Sequence, residues 1–128
     1  MRKKTILIVD DEESIRLSTA QYLQFAGFRV VTAQSADEAL QIVHTEPVRL
    51  VLADVMMPGK SGFDLLRELR HTAATRHIPV VIVTALRSVA DEETARLSGA
   101  AEVLVKPVDG KNLQAIAKRI LGPSLEEE

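Results

Sequence analysis

Five side chains that could carry out chemistry follow short apolar segments of the sequence. They are Asp10 and Asp11 after Thr5–Val9, Asp54 after Val48–Ala53, Thr84 at the end of Pro79–Thr84, and Lys106 after Glu102–Val105. Continuous apolar, β-branched runs are typical of strands that are buried on both faces of a parallel sheet. Sites in such sheets form at the carboxyl ends of the strands. We therefore expect three carboxylates, one hydroxyl and one ammonium group to meet at one edge of a sheet.

Three carboxylates at one edge need a counter-charge, because like charges a few ångströms apart repel strongly in a low dielectric. A hard divalent cation would supply it, and an all-oxygen site of two or three carboxylates and water suits Mg²⁺. Lys106 adds a positive charge that can pair with a carboxylate or with a phosphate oxygen. The group as a whole can balance a phosphoryl group, with an aspartate as the attacking nucleophile.

Each of these residues also has an ordinary structural interpretation when it is taken alone. The Asp10–Asp11 pair could cap a helix and favour its dipole. Asp54 could be a turn aspartate, Thr84 a strand-end hydroxyl, and Lys106 a solvated loop lysine. Their joint occurrence at the ends of four different predicted strands argues against coincidence.

Phe28–Ala33 is a fifth apolar run of the same kind. Segments with helical periodicity alternate with these five runs. Apolar residues at helical spacing predict helices over about 15–26, after Ser35, over about Phe63–His71, over about Ser88–Ser98, and over about 113–120. The segment Ser88–Ser98 has the narrowest apolar stripe, which indicates a loosely held helix or one that faces a partner. Tyr22 and Phe63 are predicted to anchor the core. Five βα units predict a single α/β domain with an open parallel sheet and helices on both of its faces.

The composition excludes several classes of function. The chain has 128 residues, no cysteine and a formal charge of −2, which predicts one domain without thiolate zinc sites and gives no electrostatic case for nucleic-acid binding. Its apolar runs are far shorter than the roughly 20 residues of a membrane helix, so we expect a cytoplasmic protein with no membrane partner. No Gly-rich phosphate loop follows the first strand, which argues against a dinucleotide or P-loop nucleotide site. The histidines show no paired spacing and are predicted to lie at the surface or at its boundary with the core: His44, His71 and His77.

Residues 4–121 resemble the receiver domain of two-component response regulators, which leaves 122–128 as a C-terminal tail. The matching motifs are Ile6-Leu7-Ile8-Val9-Asp10-Asp11-Glu12, Asp54-Val55-Met56-Met57-Pro58-Gly59-Lys60-Ser61-Gly62, Thr84-Ala85 and Lys106-Pro107. Each motif is modest alone, but their order and spacing are highly specific. The resemblance implies a doubly wound, flavodoxin-like sheet with the strand order 2-1-3-4-5.

The same resemblance implies a role for each site residue. Asp54 would accept a phosphoryl group from a sensor histidine kinase or a phosphotransfer protein. The ligands of Mg²⁺ would be Asp11 directly, Asp10 mostly through water, Asp54, and the backbone carbonyl of Met56. Thr84 would hydrogen-bond the phosphoryl group, Lys106 would form an ion pair with it, and the Lys106–Pro107 peptide bond would be cis.

Three positions bear on how such a domain would switch and how long it would stay phosphorylated. The family often has an aromatic residue three positions before the lysine, where this chain has Val103, so only movements of Thr84 and of the loops can be carried over. The residues two positions after the phosphoacceptor and after the threonine are Met56 and Leu86. Neither can orient a water for in-line attack, and we therefore expect a long-lived acyl phosphate.

Two other functions compete with that of a phosphorylatable signalling domain. A Mg-dependent phosphohydrolase with an aspartyl nucleophile would share Asp54 and Lys106, but its general acid would stand at Met56, which cannot donate a proton. A pseudo-receiver that only binds proteins would usually lack an aspartate or the lysine, whereas this chain retains all of them. Because Met56 cannot serve as a general acid, we expect no enzymatic activity beyond the domain's own phosphorylation and dephosphorylation. The sequence leaves open the kinase, the downstream target or attached effector, a phosphorylation-linked dimer, and whether the chain stands alone or is excised from a longer protein.

Overall fold

The computed structural model describes residues 2–85 and 97–126, which contain a five-stranded parallel sheet in the order β2-β1-β3-β4-β5. Its strands are β1 (Thr5–Val9), β2 (Arg29–Ala33), β3 (Val48–Asp54), β4 (Val80–Thr84) and β5 (Glu102–Val105). The helices among the described residues are α1 (Glu13–Phe25), α2 (Ala36–Thr45), α3 (Gly62–His71) and α4 (Gly110–Leu121). None of these four helices is long and apolar enough to cross a membrane. The predicted fold class and strand order are confirmed, whereas the predicted helix over about Ser88–Ser98 lies, except for its last two residues, outside the described residues.

The sheet separates two apolar cores, because successive side chains of a strand point to opposite faces. The α2/α3 core packs those two helices against the sheet residues Leu7, Val9, Val51, Ala53, Val80 and Ile82. The α1/α4 core packs the other two helices against Ile6, Ile8, Leu50, Leu52, Val81, Val83 and Leu104. Helices therefore cover both faces, as the continuous apolar strands predict.

Side-chain caps fix where α2 and α3 begin. Ser35 accepts a hydrogen bond from the backbone N–H of Glu38 at the start of α2 (3.2 Å), which agrees with the serine start predicted there. At α3, the Ser61 hydroxyl accepts from the N–H of Asp64 (3.1 Å), and the Asp64 carboxylate accepts from the N–H of Ser61 (2.8 Å). This reciprocal capping box anchors the start of α3, the helix that follows the loop after Asp54.

Tyr22 does not lie in the core, so its prediction as a core anchor is wrong. It is 48% exposed, and its ring lies against Gly110 at the start of α4. A Cβ atom added at Gly110 would come within 2.1 Å of the Tyr22 ring. Helical spacing places Tyr22 on the inner side of α1, but the missing side chain of Gly110 leaves room for the ring against the start of α4. Phe63 is partly buried against the α2/α3 core.

The two ends of the described chain are joined at the amino edge of the sheet, opposite the carboxyl ends of the strands. Lys3 and Leu125 form an antiparallel bridge, and the N–H of Glu126 donates to the carbonyl of Arg2 (2.7 Å). The guanidinium of Arg49, on β3, also binds the Glu126 carboxylate (Nε to Oε1, 2.9 Å). Residues up to 126 are therefore held against the domain.

Candidate functional site

The register of the sheet brings the predicted site residues to one edge. Val9 of β1 is paired with Ala53 of β3, so Asp10 and Asp54 follow side by side. Thr84 of β4 is paired with Val105 of β5, and the N–H of Lys106 donates to the carbonyl of Thr84 (2.8 Å). The carboxyl ends of four strands thus position these groups, as the sequence predicts.

Lys106 connects two buried carboxylates. Its Nζ lies 3.3 Å from Oδ2 of Asp10 and 3.2 Å from Oδ2 of Asp54. The side chains of the lysine and the two aspartates are 19%, 6% and 5% exposed, respectively. A single ammonium therefore faces two negative charges in a largely desolvated setting, where charge–charge interactions are stronger than in water.

Asp11 adds a third carboxylate to this edge. One carboxylate oxygen from each of Asp10, Asp11 and Asp54 lies within 4.8 Å of the others, and Asp11 is exposed whereas the other two are buried. Three oxygen donors, one of them open to solvent, form the kind of site that a hard cation with several bound waters prefers. The donor set therefore fits Mg²⁺.

Backbone contacts hold Asp10 in place. Its Oδ1 accepts from the N–H of Glu12 (2.9 Å), and its carbonyl oxygen accepts from Nη1 of Arg16 on α1 (2.8 Å). With Lys106 on Oδ2, both carboxylate oxygens of Asp10 are engaged. Sequence analysis did not identify Arg16 as a site residue, and only its position five residues after Asp11, in the first turn of α1, could have indicated it.

Two further residues fix the position of Asp54. The N–H of Met56 donates to Oδ1 of Asp54 (3.3 Å), which places the peptide of Met56 next to the carboxylate. Gly62, the first residue of α3, packs directly against the end of β3. A Cβ atom at Gly62 would lie 2.5 Å from the carbonyl oxygen of Asp54, so a glycine is needed for this close approach.

The burial of the site shifts the pKa of two groups. Burial raises the pKa of Asp54, and neighbouring Asp10 raises it further, while Lys106 and the N–H of Met56 act in the opposite direction. Burial alone would lower the pKa of Lys106, but Asp10 and Asp54 outweigh it and the pKa is raised. The ammonium is thus kept charged, which keeps it available to an anionic partner.

The remaining predicted residues lie as follows. Thr84 is fully buried at the end of β4, and Met56 is exposed in the loop after β3. The Lys106–Pro107 peptide bond is cis. The three histidines are exposed and lie apart from the site, and Leu86 lies outside the described residues.

Comparison with known proteins points in one direction. The sequence profile of the response regulator receiver domain matches residues 6–118. The chain is 42% identical over 121 residues to a probable transcriptional regulator, ycf27, of Cyanophora paradoxa, which covers 94% of this chain and 49% of that protein. It therefore spans about half the length of the transcriptional regulators that it matches.

Solved structures agree with the sequence comparison. A putative response regulator from Chloroflexus aurantiacus superposes with a TM-score of 0.86 at 30% identity, covering 94% of this chain and 98% of that one. The response regulator TrrA of Thermotoga maritima, in complex with Mg²⁺–BeF, superposes with a TM-score of 0.81 at 30% identity, covering 92% and 99%.

Proposed function

The chain belongs to the response regulator receiver domains, and on this premise we propose that Asp54 accepts a phosphoryl group from a histidine kinase or a phosphotransfer protein. The observation that carries this proposal is the position of the Asp54 carboxylate. It is buried, it is paired with Lys106 at 3.2 Å, and it is grouped with the carboxylates of Asp10 and Asp11. Phosphorylation would then change the conformation of the domain and pass the signal on.

Mg²⁺ is the cofactor that we propose for this site. Its ligands would be Asp11 directly, Asp10 mostly through water, Asp54, and the backbone carbonyl of Met56. Bound there, the ion would neutralise negative charge on the phosphoryl oxygens and orient them. The engagement of both Asp10 oxygens by Lys106 and by the N–H of Glu12 supports its indirect role. The Mg²⁺–BeF complex of the Thermotoga maritima relative supports the choice of metal.

The transfer itself needs an ionised Asp54. A carboxylate oxygen attacks the phosphorus of the donor, an O–P bond forms, and the P–N bond to the donor histidine breaks. The electron pair of that bond returns to the imidazole, which takes up a proton. Lys106 and the N–H of Met56 favour the ionised form of Asp54 against the effect of burial. After transfer, the ammonium of Lys106 would turn to a phosphoryl oxygen and the hydroxyl of Thr84 would hydrogen-bond another.

The output is proposed from the relatives. Several of them are named probable transcriptional regulators, and the present chain covers only about half of each. We therefore place the output in transcription, through a part of such proteins that lies outside the matched half, and assign no nucleic-acid binding to this domain. A cytoplasmic location remains a prediction from the sequence.

Labelling with a small phosphodonor tests the proposal. With acetyl phosphate and Mg²⁺, the protein should gain one phosphoryl group by intact mass spectrometry, and hydroxylamine should release it. Asp54→Asn should abolish the gain, because an amide nitrogen is no nucleophile under these conditions. Asp37→Asn is the matched control, since Asp37 is an exposed aspartate on α2 and its variant should be labelled like the parent.

Three outcomes would contradict the proposal. Undiminished labelling of the Asp54→Asn variant would place the phosphoryl group elsewhere. Labelling without Mg²⁺ at the same rate would remove the metal from the mechanism. A folded parent protein that no phosphodonor labels would favour a domain that only binds proteins.

A further inference from the structure

A cavity of about 450 Å³ lies beneath the phosphoacceptor site, between α1 and the loop that joins β5 to α4. Its floor consists of buried side chains of the α1/α4 core, among them Ile8, Leu52 and Leu113. The volume falls within the range of roughly 300–1,000 Å³ that is typical of small-molecule pockets. The cavity is therefore large enough for an organic ligand.

The walls of the cavity are mainly apolar. Ile15, Thr19 and Tyr22 of α1 form one side, and Pro107 and Val108 of the loop form the other. The Tyr22 ring lies against the backbone of α4 at Gly110, and Gln114 of α4 donates a hydrogen bond to the carbonyl of Tyr22 (2.8 Å). Contacts between the two helices thus hold this side of the cavity in place.

Charged groups stand at one end of the cavity only. Asp10, Asp54 and Lys106 line that end, and Asp11 lies beside it. Three carboxylates against the ammonium of Lys106 and the guanidinium of Arg16, which binds the carbonyl of Asp10, still leave a net negative charge. The ammonium is already shared between two of the carboxylates. An apolar cavity with a few charged groups at one end suits an amphipathic ligand, and here the sign of the charge favours a cation.

We propose that this cavity binds a small amphipathic amine, with its apolar body between α1 and the β5–α4 loop and its ammonium against Asp10 and Asp54. A free small molecule is favoured over a lysine side chain of another protein, because an aromatic body fills more of the 450 Å³ than a linear stem of four methylenes does. The amine and Mg²⁺ would draw on the same carboxylates, so each should weaken the binding of the other. That last statement rests on the proposed metal site, whereas the amine site itself does not.

Three probes of one shape test the recognition of charge. Binding of 4-phenylbutylamine, 4-phenylbutanol and 4-phenylbutyrate to the full chain is measured without Mg²⁺ by calorimetry and by methyl NMR shifts of Ile8, Ile15 and Leu113. We expect the amine to bind at least tenfold tighter than the alcohol, and the carboxylate to bind most weakly. Added Mg²⁺ should weaken the binding of the amine but change the affinity for the alcohol by no more than about twofold.

Variants on α1 test the location. Thr19→Leu fills the cavity and should weaken amine binding at least tenfold, whereas Gln21→Leu adds a similar side chain on the exposed side of the helix and should leave it within twofold. Thermal unfolding shows whether each variant is folded. If Thr19→Leu is not, Ser18→Met replaces it, since Ser18 also lines the cavity.

Several results would overturn the proposal. Equal affinity for the amine and the alcohol would exclude recognition of the charge, and tightest binding of the carboxylate would make this an anion site. Equal effects of Thr19→Leu and Gln21→Leu would place the ligand elsewhere. Amine binding that is unaffected by Mg²⁺, in a protein whose Asp54 is labelled normally, would refute the shared carboxylates. Amine binding in a protein that cannot be labelled would support the amine site and contradict the phosphoacceptor function.

Discussion

Lys106 is the residue whose removal should disturb the site most. Its ammonium is paired with Asp10 and Asp54, whose side chains are almost completely buried. Lys106→Met keeps the apolar stem and deletes the charge, which leaves two neighbouring carboxylates without that partner. Removing one member of a buried ion pair typically costs about 3–5 kcal/mol. Because the lysine side chain is 19% exposed and water can reach it, we expect a loss of about 3 kcal/mol.

Urea unfolding without Mg²⁺ measures this loss. Proteins of this size lose about 1–3 kcal/mol per molar urea, so the midpoint should fall by about 1–3 M. Asp54→Asn in the Lys106→Met background should restore part of the stability, because the amide keeps a hydrogen-bond acceptor and removes a buried charge. The coupling free energy between the two positions should exceed about 1 kcal/mol. Lys111→Met, which changes an exposed lysine of α4, is the control and should change the stability by less than about 0.5 kcal/mol.

Two results would refute this reasoning. If Lys106→Met lost no more stability than Lys111→Met, the ion pairs would contribute nothing to the fold. If the effects of Lys106→Met and Asp54→Asn were simply additive, the ammonium and the carboxylate would not interact despite their separation of 3.2 Å.

Three further predictions follow from other contacts. Gly62→Ala should cost about 1–3 kcal/mol of stability and slow the labelling of Asp54, because the new methyl group meets the Asp54 carbonyl; unchanged urea unfolding would contradict this. The hydrogen bond and charge of Arg49 lower the pKa of Glu126. The parent should therefore be more stable to unfolding than Glu126→Gln above about pH 4.5, and this difference should disappear as the pH falls through the lowered pKa. Equal differences in unfolding midpoint at neutral and acidic pH would contradict this. Met56→Asn combined with Leu86→Glu should speed the loss of phosphate from Asp54 about tenfold, or about 1.4 kcal/mol of barrier, and a double variant with the parent's lifetime would show that these side chains do not set it.

The strands and the grouping of the charged residues could be predicted because both depend on short-range pattern. Apolar β-branched runs indicate buried parallel strands, and the topology of such sheets gathers whatever follows each strand. Asp10, Asp54 and Lys106 meet for this reason, although their chemical roles remain predictions.

The contacts that the sequence did not indicate depend on where separate elements meet. Tyr22 has the spacing of a core residue, but the absence of a side chain at Gly110 decides how its ring packs. Gly62 matters only because α3 begins directly against the carbonyl of Asp54. Likewise, no local pattern indicates that Glu126 reaches Arg49, since 77 residues separate them.

Because the sheet separates the interior into two cores, a change at the carboxyl edge of the sheet can affect each core by a different route. Asp54 follows Leu52 and Lys106 follows Leu104 at a spacing of two residues, so their side chains share the face of the α1/α4 core. Thr84 follows Ile82 in the same way and belongs to the face of the α2/α3 core. We therefore expect a charge placed on Asp54 to act on one layer through Lys106, and on the other through the hydrogen bond proposed for the Thr84 hydroxyl. The two cores could then respond separately to the same change, and the NMR shifts of isotope-labelled methyl groups of Leu104 and Ile82 would measure each response independently.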